Sequence, residues 1–522
     1  MKERERGRVV ILGAGPAGLT AAYELGRAGV RAVVLERGEQ VGGLARTGNY
    51  KGFRFDIGGH RFYTKVKAVE DIWREVLSDE DFPTRRRLSR IYYNQKFFHY
   101  PLRVSSMLAS LGAREGLLIL LSYLRARLSP HTTEETFEQW VTNRFGRRLY
   151  EKFFKTYTEK VWGIGCEEIA ADWAAQRIRG LSLSVLVKDL LLGTRSGDSD
   201  ASAAVKTLIN EFRYPRRGPG MMWEAMAERV GAQGGEIRLG ARVTRIRRAA
   251  SGAIASVEIE SHGRREEIAG DQFISTIPAR ELVEQLDPVA PANVRAAAAS
   301  LRYRDFLTVV LIVNRAEVFP DNWIYVHDAS VRLGRVQNFK NWSAEMVPDQ
   351  SKTCLGLEYF CFEGDGLWTM TDTELIELGK REIERIGLVE AHEVEDGAVV
   401  RVAKAYPVYD ATYKQSLATL REFLRGAPNL QLVGRNGMHR YNNQDHSMLT
   451  AMLAAENVLG ASHDLWRVNA DHEYQEEMRA GDGDGEDERL RAQLAATQPR
   501  TPARIARAAP TVTVQTASES EA

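Results

Sequence analysis

Three glycines and one carboxylate hold the clearest chemistry in this sequence. Gly13, Gly15 and Gly18 form a G-x-G-x-x-G turn, and Glu36 ends the next apolar run. Each suits one part of a dinucleotide. Gly13 makes the tight turn, Gly15 lets a pyrophosphate approach backbone N–H groups at a helix start, and Gly18 lets helix and strand pack closely. Glu36 can accept hydrogen bonds from an adenosine ribose. Two further glycine turns follow, Glu36-Arg37-Gly38-x-x-Val41-Gly42-Gly43 and Phe55-Asp56-Ile57-Gly58-Gly59-His60. A glycine-flanked histidine such as His60 is either a turn residue or a hydrogen-bonding group beside whatever the turn approaches.

The elements that must position these residues are legible around them. Val9 to Leu12 reads as a buried parallel strand, the turn opens a helix through Ala21, Ala22 and Leu25, and Ala32 to Leu35 delivers Glu36. A glycine-rich surface loop lacks that order of strand, turn, helix, strand and acid. From 102 to 192 the apolar spacing is mostly helical, through Phe137, Trp140, Val141, Phe145 and Leu149, and predicts a helical insertion. A helix over 221–230 and strands over 236–239 and 241–248 follow, with Val243 placed to contact adenine. Strands over 253–261 and 266–273 are expected to be antiparallel, and 271–278 re-enters the first sheet before turning at Pro278. Stretches 302–313, 354–361 and 399–405 supply a second sheet, interrupted by a helix over 371–386. A last strand over 430–434 ends in glycine, and a helix over 447–459 completes the return.

Composition bounds the rest. The 522 residues, 44% of them hydrophobic, suffice for at least two cores. With 71 basic against 70 acidic side chains, no global field recruits nucleic acid or an anionic bilayer. Cys166, Cys354 and Cys361 are few and scattered, which argues against a disulfide scaffold or a Cys-rich metal site and fits a reducing compartment. The opening MKERERGRVVILG has no signal-peptide h-region, so a cytoplasmic protein is expected. The longest apolar run, around 117–121, is too short to span a bilayer; it reads as a core helix, with a monotopic membrane contact as the alternative. From about Gly481 the pattern of a core is lost, and disorder without a catalytic role is expected.

The repeated glycine turns resemble FAD enzymes of the glutathione-reductase type. Six ordered segments, DIGGHRFYT, KVWGIGCEEIAADWAAQR, FRYPRRGPGMMW, WIYVHDASVRLGRV, YPVYD and RYNNQDHSM, resemble the UDP-galactopyranose mutase branch of the FAD-dependent amine oxidase and protoporphyrinogen oxidase-like superfamily. The resemblance implies an α/β fold: a discontinuous Rossmann FAD domain (1–95, 215–290 and 425–470), a helical insertion (96–214), an antiparallel-sheet substrate domain (291–424) and a disordered tail (480–522).

It also implies residue roles. Noncovalent FAD is expected against Gly13, Gly15, Gly18, Glu36, Arg37, Gly43, Gly58, Gly59, Val243, Gly434 and Met448, with His60 beside the flavin N5. Arg177 and Arg335 resemble two arginines that hold a substrate diphosphate. Tyr406, Tyr441 and Asn443 resemble its neighbours, and Tyr325 is a candidate uracil contact. The implied reaction is redox-neutral interconversion of pyranose and furanose forms of a nucleotide sugar, UDP-galactose first, on reduced FAD. An external reductant, NAD(P)H or a reductase, then serves as a partner. A departure weakens the sugar assignment: Trp342 stands where the pattern has tyrosine. The alternative is an amine oxidase, protoporphyrinogen oxidase or desaturase type of oxidoreductase, and a noncatalytic FAD-binding protein is a third reading.

Overall fold

A computed structural model describes residues 7–100, 113–177 and 211–469. Val9–Leu12, an uninterrupted apolar run, lies at the centre of a five-stranded parallel sheet and is at most 1% exposed. Burial on both faces is what such a run requires. Its neighbours are Ala32–Leu35 and Gln272–Ser275, and the sheet is completed by Glu236–Arg238 on one edge and Leu430–Leu432 on the other. Helix Pro16–Arg27 opens with proline, whose missing N–H costs nothing in a first turn, and packs against Gly220–Ala232 and Gln444–Val458. The strand expected over 430–434 stops at Leu432, because Gly434 turns into the left-handed region at φ +79°.

A second, four-stranded sheet contains Arg242–Arg248, Ile254–Ser261 and Arg264–Ala269, antiparallel, with Leu286–Asp287 added in parallel. The large sheet has seven strands, in the order Val394–Pro407, Tyr303–Val313, Thr353–Cys361, Arg335–Asn338, Trp323–Val326, Ser89–Tyr93 and Lys96–His99. Two features depart from the sequence reading. Ser89–Tyr93 and Lys96–His99 fall on either side of the boundary expected at 95, yet both extend this sheet. The sheet is also mixed, since Ser89–Tyr93 runs parallel to Trp323–Val326. Local pattern could not show this pairing, because the partner strand is far along the chain. Arg90 Nη2 anchors it on the fully buried Asp321 at 2.5 Å. Opposite, helix Asp372–Arg385 is fixed by a capping box of Thr371 and Glu374.

The insertion is helical where it is described. Ala113–Leu128, Phe137–Phe145, Thr156–Trp162 and Ala171–Arg177 surround a core that includes Phe137, Trp140, Tyr150, Phe153 and Trp162. The expectations for 101–112, for 178–210 and for the tail from 480 fall outside the described residues. Among the described residues, no helix is long and apolar enough to cross a membrane.

Candidate active site

The parallel sheet and the mixed sheet meet along a groove of about 1020 Å³, at the upper end of small-molecule sites. Gly13, Gly15, Glu36, Arg37, Gly43, Val243 and Gly434 all line it, and so does His60. The glycines divide the work. Gly13 sits at φ +104°, and a Cβ there would lie 2.1 Å from Thr276 Oγ1. A Cβ on Gly18 would lie 1.9 Å from the Gly13 carbonyl oxygen, so Gly18 packs the helix against the turn. A Cβ on Gly15 meets only Gly43 Cα, at 3.7 Å. Space at Gly15 is thus left open by the protein on the groove side. Glu36 Oε2 and Oε1 accept the Ala14 and Gly38 N–H groups, each at 2.8 Å, and so tie two glycine turns together at the end of a strand.

These residues fit FAD. The bare turn at Gly15, the helix start at Pro16, the acid at a strand end and the remote Gly434 span a continuous groove, as a dinucleotide requires. Met448 is placed differently from the expectation. It is fully buried outside the groove lining, its sulfur accepts the Trp73 indole N–H at 3.0 Å, and Ser447 lines the groove instead. Consecutive helical positions point about 100° apart, which a motif match does not resolve.

A second cavity of about 200 Å³ adjoins the groove, and His60, Leu44, Val402, Arg435 and Gln444 line both. Gly58, Gly59, Tyr325, Arg335, Tyr406, Tyr441 and Asn443 come together around it. Arg335 donates from Nε and Nη2 to Glu358 Oε2 at 2.6 and 2.5 Å, and Glu358 is fully buried. Burial works against the Arg335 charge, but Glu358 and the surrounding tyrosines outweigh it and hold the guanidinium well above its usual range. Tyr406 and Tyr441 stack at 5.6 Å between ring centres, with the Arg435 guanidinium 5.3 and 4.8 Å from their rings. Arg435 itself is held by the Asn442 and Ala405 carbonyls. Arg177 ends helix Ala171–Arg177, and its side chain lies outside the described residues.

His60 follows Gly58, at φ +82°, and its Nδ1 lies 2.8 Å from the Gly58 carbonyl oxygen. That partner places the proton on Nδ1 and leaves Nε2 as an acceptor. Burial, then the Arg435 charge, pushes its pKa down to about 3. The imidazole is therefore neutral at physiological pH. The turn is held from below by Asp56, fully buried, which accepts the Tyr214 hydroxyl at 2.8 Å. Burial raises the Asp56 pKa well above the carboxylate range, against the pull of Tyr214 and of the His60 backbone N–H.

Sequence reasoning missed Arg61, Arg435 and Gln337, and left Trp323 between a core aromatic and a uracil contact; all four line the second cavity. Some signals were present. Arg61 and Arg435 each follow a predicted site residue, and Gln337 shares a strand face with Arg335 at the two-residue period. Trp162 is 3% exposed and packs edge-on against Trp173 at 5.1 Å, as expected of a core aromatic.

Buried histidines also set an acid limit. Burial and the nearby Lys160 charge push His327 down to about 3. An unfolded imidazole titrates near 6.5, about 1.5 units above pH 5. Between about 6.5 and 3 the unfolded chain binds this proton and the folded chain does not, so stability falls as pH drops through the window. His327 alone should cost on the order of 2 kcal/mol at pH 5 relative to pH 7. The thermal midpoint of His327→Gln should therefore fall less than that of the wild type between these pH values. Equal falls would remove His327 from the account.

A parallel Rossmann sheet, a large mixed sheet and a groove between them that fits FAD define an FAD-binding, oxidoreductase-type architecture. Residues 16–492 match the model of the flavin containing amine oxidoreductase family, and the chain belongs to it. It is 36% identical over 111 residues to the L-amino-acid oxidase of Crotalus adamanteus, covering 19% of this chain and 22% of that protein. The chain thus matches about a fifth of the length of this curated relative. Among solved structures, a reduced UDP-galactopyranose mutase superposes with a TM-score of 0.75 at 21% identity, covering 90% of this chain and 99% of that one. A protein described as a protoporphyrinogen oxidase from Exiguobacterium sp. 255-15 gives 0.65 at 18% identity, over 87% and 98%. At these identities the structural likenesses establish the fold, an α/β architecture with a parallel Rossmann sheet and further mixed sheets.

Proposed function

We propose that this flavoenzyme acts on an anionic substrate held in the second cavity, next to His60. One observation carries the reading: Arg61, Arg335 and Arg435 line that cavity, and against them stand Asp445 in the lining and Glu358 behind Arg335, which leaves an excess of guanidinium charge. Guanidinium groups beside tyrosines suit a phosphate or carboxylate, and they oppose entry of a protonated amine. FAD, when bound, supplies a hydride acceptor in its oxidised form and a nucleophile or hydride donor in its reduced form. The chain's own residues then bind and orient the anion, keep a neutral imidazole at the junction of groove and cavity, and stabilise negative charge that develops during reaction.

Membership of the amine oxidoreductase family favours FAD-dependent oxidation or reduction as the reaction class. The substrate is then neutral or anionic at the reacting end, not a simple amine. A second reading, redox-neutral ring interconversion of a nucleotide sugar such as UDP-galactose, is supported by the Arg335, Tyr406 and Tyr441 grouping, which suits a diphosphate leaving group. Noncovalent FAD is common to both, and the second needs its reduced form and an external reductant.

Anaerobic incubation separates them. Dithionite-reduced and oxidised proteins are each mixed with a panel of nucleotide sugars and of hydroxylated or carboxylated acids, and products and flavin spectra are followed. Flavin bleaching coupled to substrate oxidation is the expected result for an oxidoreductase. A ring isomer formed only with reduced protein selects the mutase. If neither class of anion binds or reacts, the anionic-substrate reading fails.

A further inference from the structure

Helix Ala113–Leu128 of the insertion carries apolar side chains on two opposite faces. Ile119, Tyr123 and Ala126 turn inward and are buried, the first two in the core that holds Phe137, Trp140 and Tyr150. Leu117, Leu121, Leu124 and Leu128 point the other way and are between 38% and 87% exposed. Steps of four, three and four residues set these leucines on one face. Among the described residues they are four of nine exposed large hydrophobic side chains. Single exposed leucines need no explanation, but a continuous stripe marks a surface that something covers.

The charges around the stripe say what that is. Arg114, Arg125 and Arg127 are exposed. At about 100° per residue, Arg114 and Arg125 border the leucines on one side and Arg127 borders them on the other. Glu115, the carboxylate of this helix, is turned away to Arg148 at 2.5 Å. The outer face is therefore apolar along its middle and cationic along both edges. A helix lying in the plane of a bilayer surface has this arrangement, with leucines in the acyl boundary and arginines among anionic headgroups. A protein partner fits it less well, because the anchors of protein interfaces are mostly tryptophan, tyrosine and arginine, with leucine under-represented. Among the described residues no helix can span a membrane, so the contact is with its surface.

We infer that the outer face of Ala113–Leu128 docks this protein on an anionic lipid bilayer. The whole chain is close to charge balance, at +1, so the local arginines supply the attraction and the leucines the hold. The inference is independent of the substrate reading.

The test mixes full-length, flavin-loaded protein with vesicles of phosphatidylcholine alone, or of phosphatidylcholine with phosphatidylglycerol, and follows it by flotation at low and high salt. The wild type is expected to bind the mixed vesicles, and to bind them less as salt rises. Leu121→Glu combined with Leu128→Glu should weaken that binding about 10-fold or more, since carboxylates then stand where leucines enter the bilayer. Arg114→Gln combined with Arg125→Gln should weaken it about five-fold per arginine and flatten its salt dependence. Flavin content and thermal midpoint should match the wild type in both, because all four side chains are exposed. Wild-type protein that leaves the mixed vesicles unbound overturns the inference. So does binding that survives the paired leucine change, which would put the contact on another surface. A wild type that sediments as a dimer and dissociates in the leucine variant makes this face an interface between copies, and also overturns it. If the paired leucine variant loses flavin or stability, Leu128→Glu, at the most exposed of the four leucines, decides the matter on the same criteria.

Discussion

Replacing Gly15 with leucine is expected to yield a folded chain that purifies without flavin and cannot be reconstituted with it. The wild-type chain should carry one noncovalent FAD, released intact on denaturation. The reason lies in what surrounds Gly15. A Cβ there meets only Gly43 Cα at an ordinary 3.7 Å, so the protein tolerates a side chain, but the residue lines the cofactor groove. Leucine would occupy the space where the pyrophosphate approaches the helix start. Gly18 provides the contrast. A Cβ at that position collides with the Gly13 carbonyl at 1.9 Å, so Gly18→Leu should damage folding as well as cofactor binding. Measuring the flavin-to-protein ratio beside a thermal unfolding curve separates the two. A Gly15→Leu protein that retains full flavin would refute the cofactor placement.

Arg335→Ala should cost both stability and ligand affinity. Glu358 is fully buried and its charge is met by Arg335 at 2.5 Å, with Gln337 as a further donor. Removing one partner of a buried ion pair leaves an uncompensated charge, a loss of roughly 3–5 kcal/mol. A fall in ligand affinity in Arg335→Ala alone is thus ambiguous, since the cavity wall is disturbed with it. The double variant Arg335→Met, Glu358→Leu removes both charges and should recover most of the stability while leaving the anion site weakened. Arg335→Lys keeps the charge but loses the planar fork that reaches Glu358 through two nitrogens, and should fall between. Denaturant midpoints and anion titrations on the same preparations give the comparison. If Arg335→Ala is as stable as the wild type, the Arg335–Glu358 pair does not contribute as described.

Much of the cofactor half was written locally in the sequence. Val9–Leu12 and Ala32–Leu35 form strands at the predicted bounds, and Gly13, Gly18 and Glu36 meet there as their spacing demands. Such a motif is legible because each task falls to a residue within one strand–turn–helix–strand unit, where backbone geometry alone sets the distances. The helix expected over 371–386 forms as Asp372–Arg385, its start set within one turn by Thr371 and Glu374. The burial of Tyr303–Val313 and Thr353–Cys361 follows from their largely apolar sequence, whereas the burial of Arg304, Asp305 and Glu358 within them does not.

What tertiary structure decided is which distant pieces share a surface. Ser89–Tyr93 joined the mixed sheet through Trp323–Val326, with Asp321 as the anchor of Arg90, and no local period encodes that partnership. Met448 turned inward to Trp73 while Ser447 faced the groove, a difference of one helical step. Arg335 was readable as an arginine that suits a phosphate, but its commitment to Glu358 depends on the antiparallel pairing of their two strands. His60 was visible between its glycines, whereas its neutral state comes from burial and from Arg435, brought to the same cavity from the far end of the chain. Sequence determines the chemistry that each side chain can perform and the local turns that present it. Burial, charge and unsatisfied hydrogen bonds are sums over neighbours, and only the folded chain chooses those neighbours.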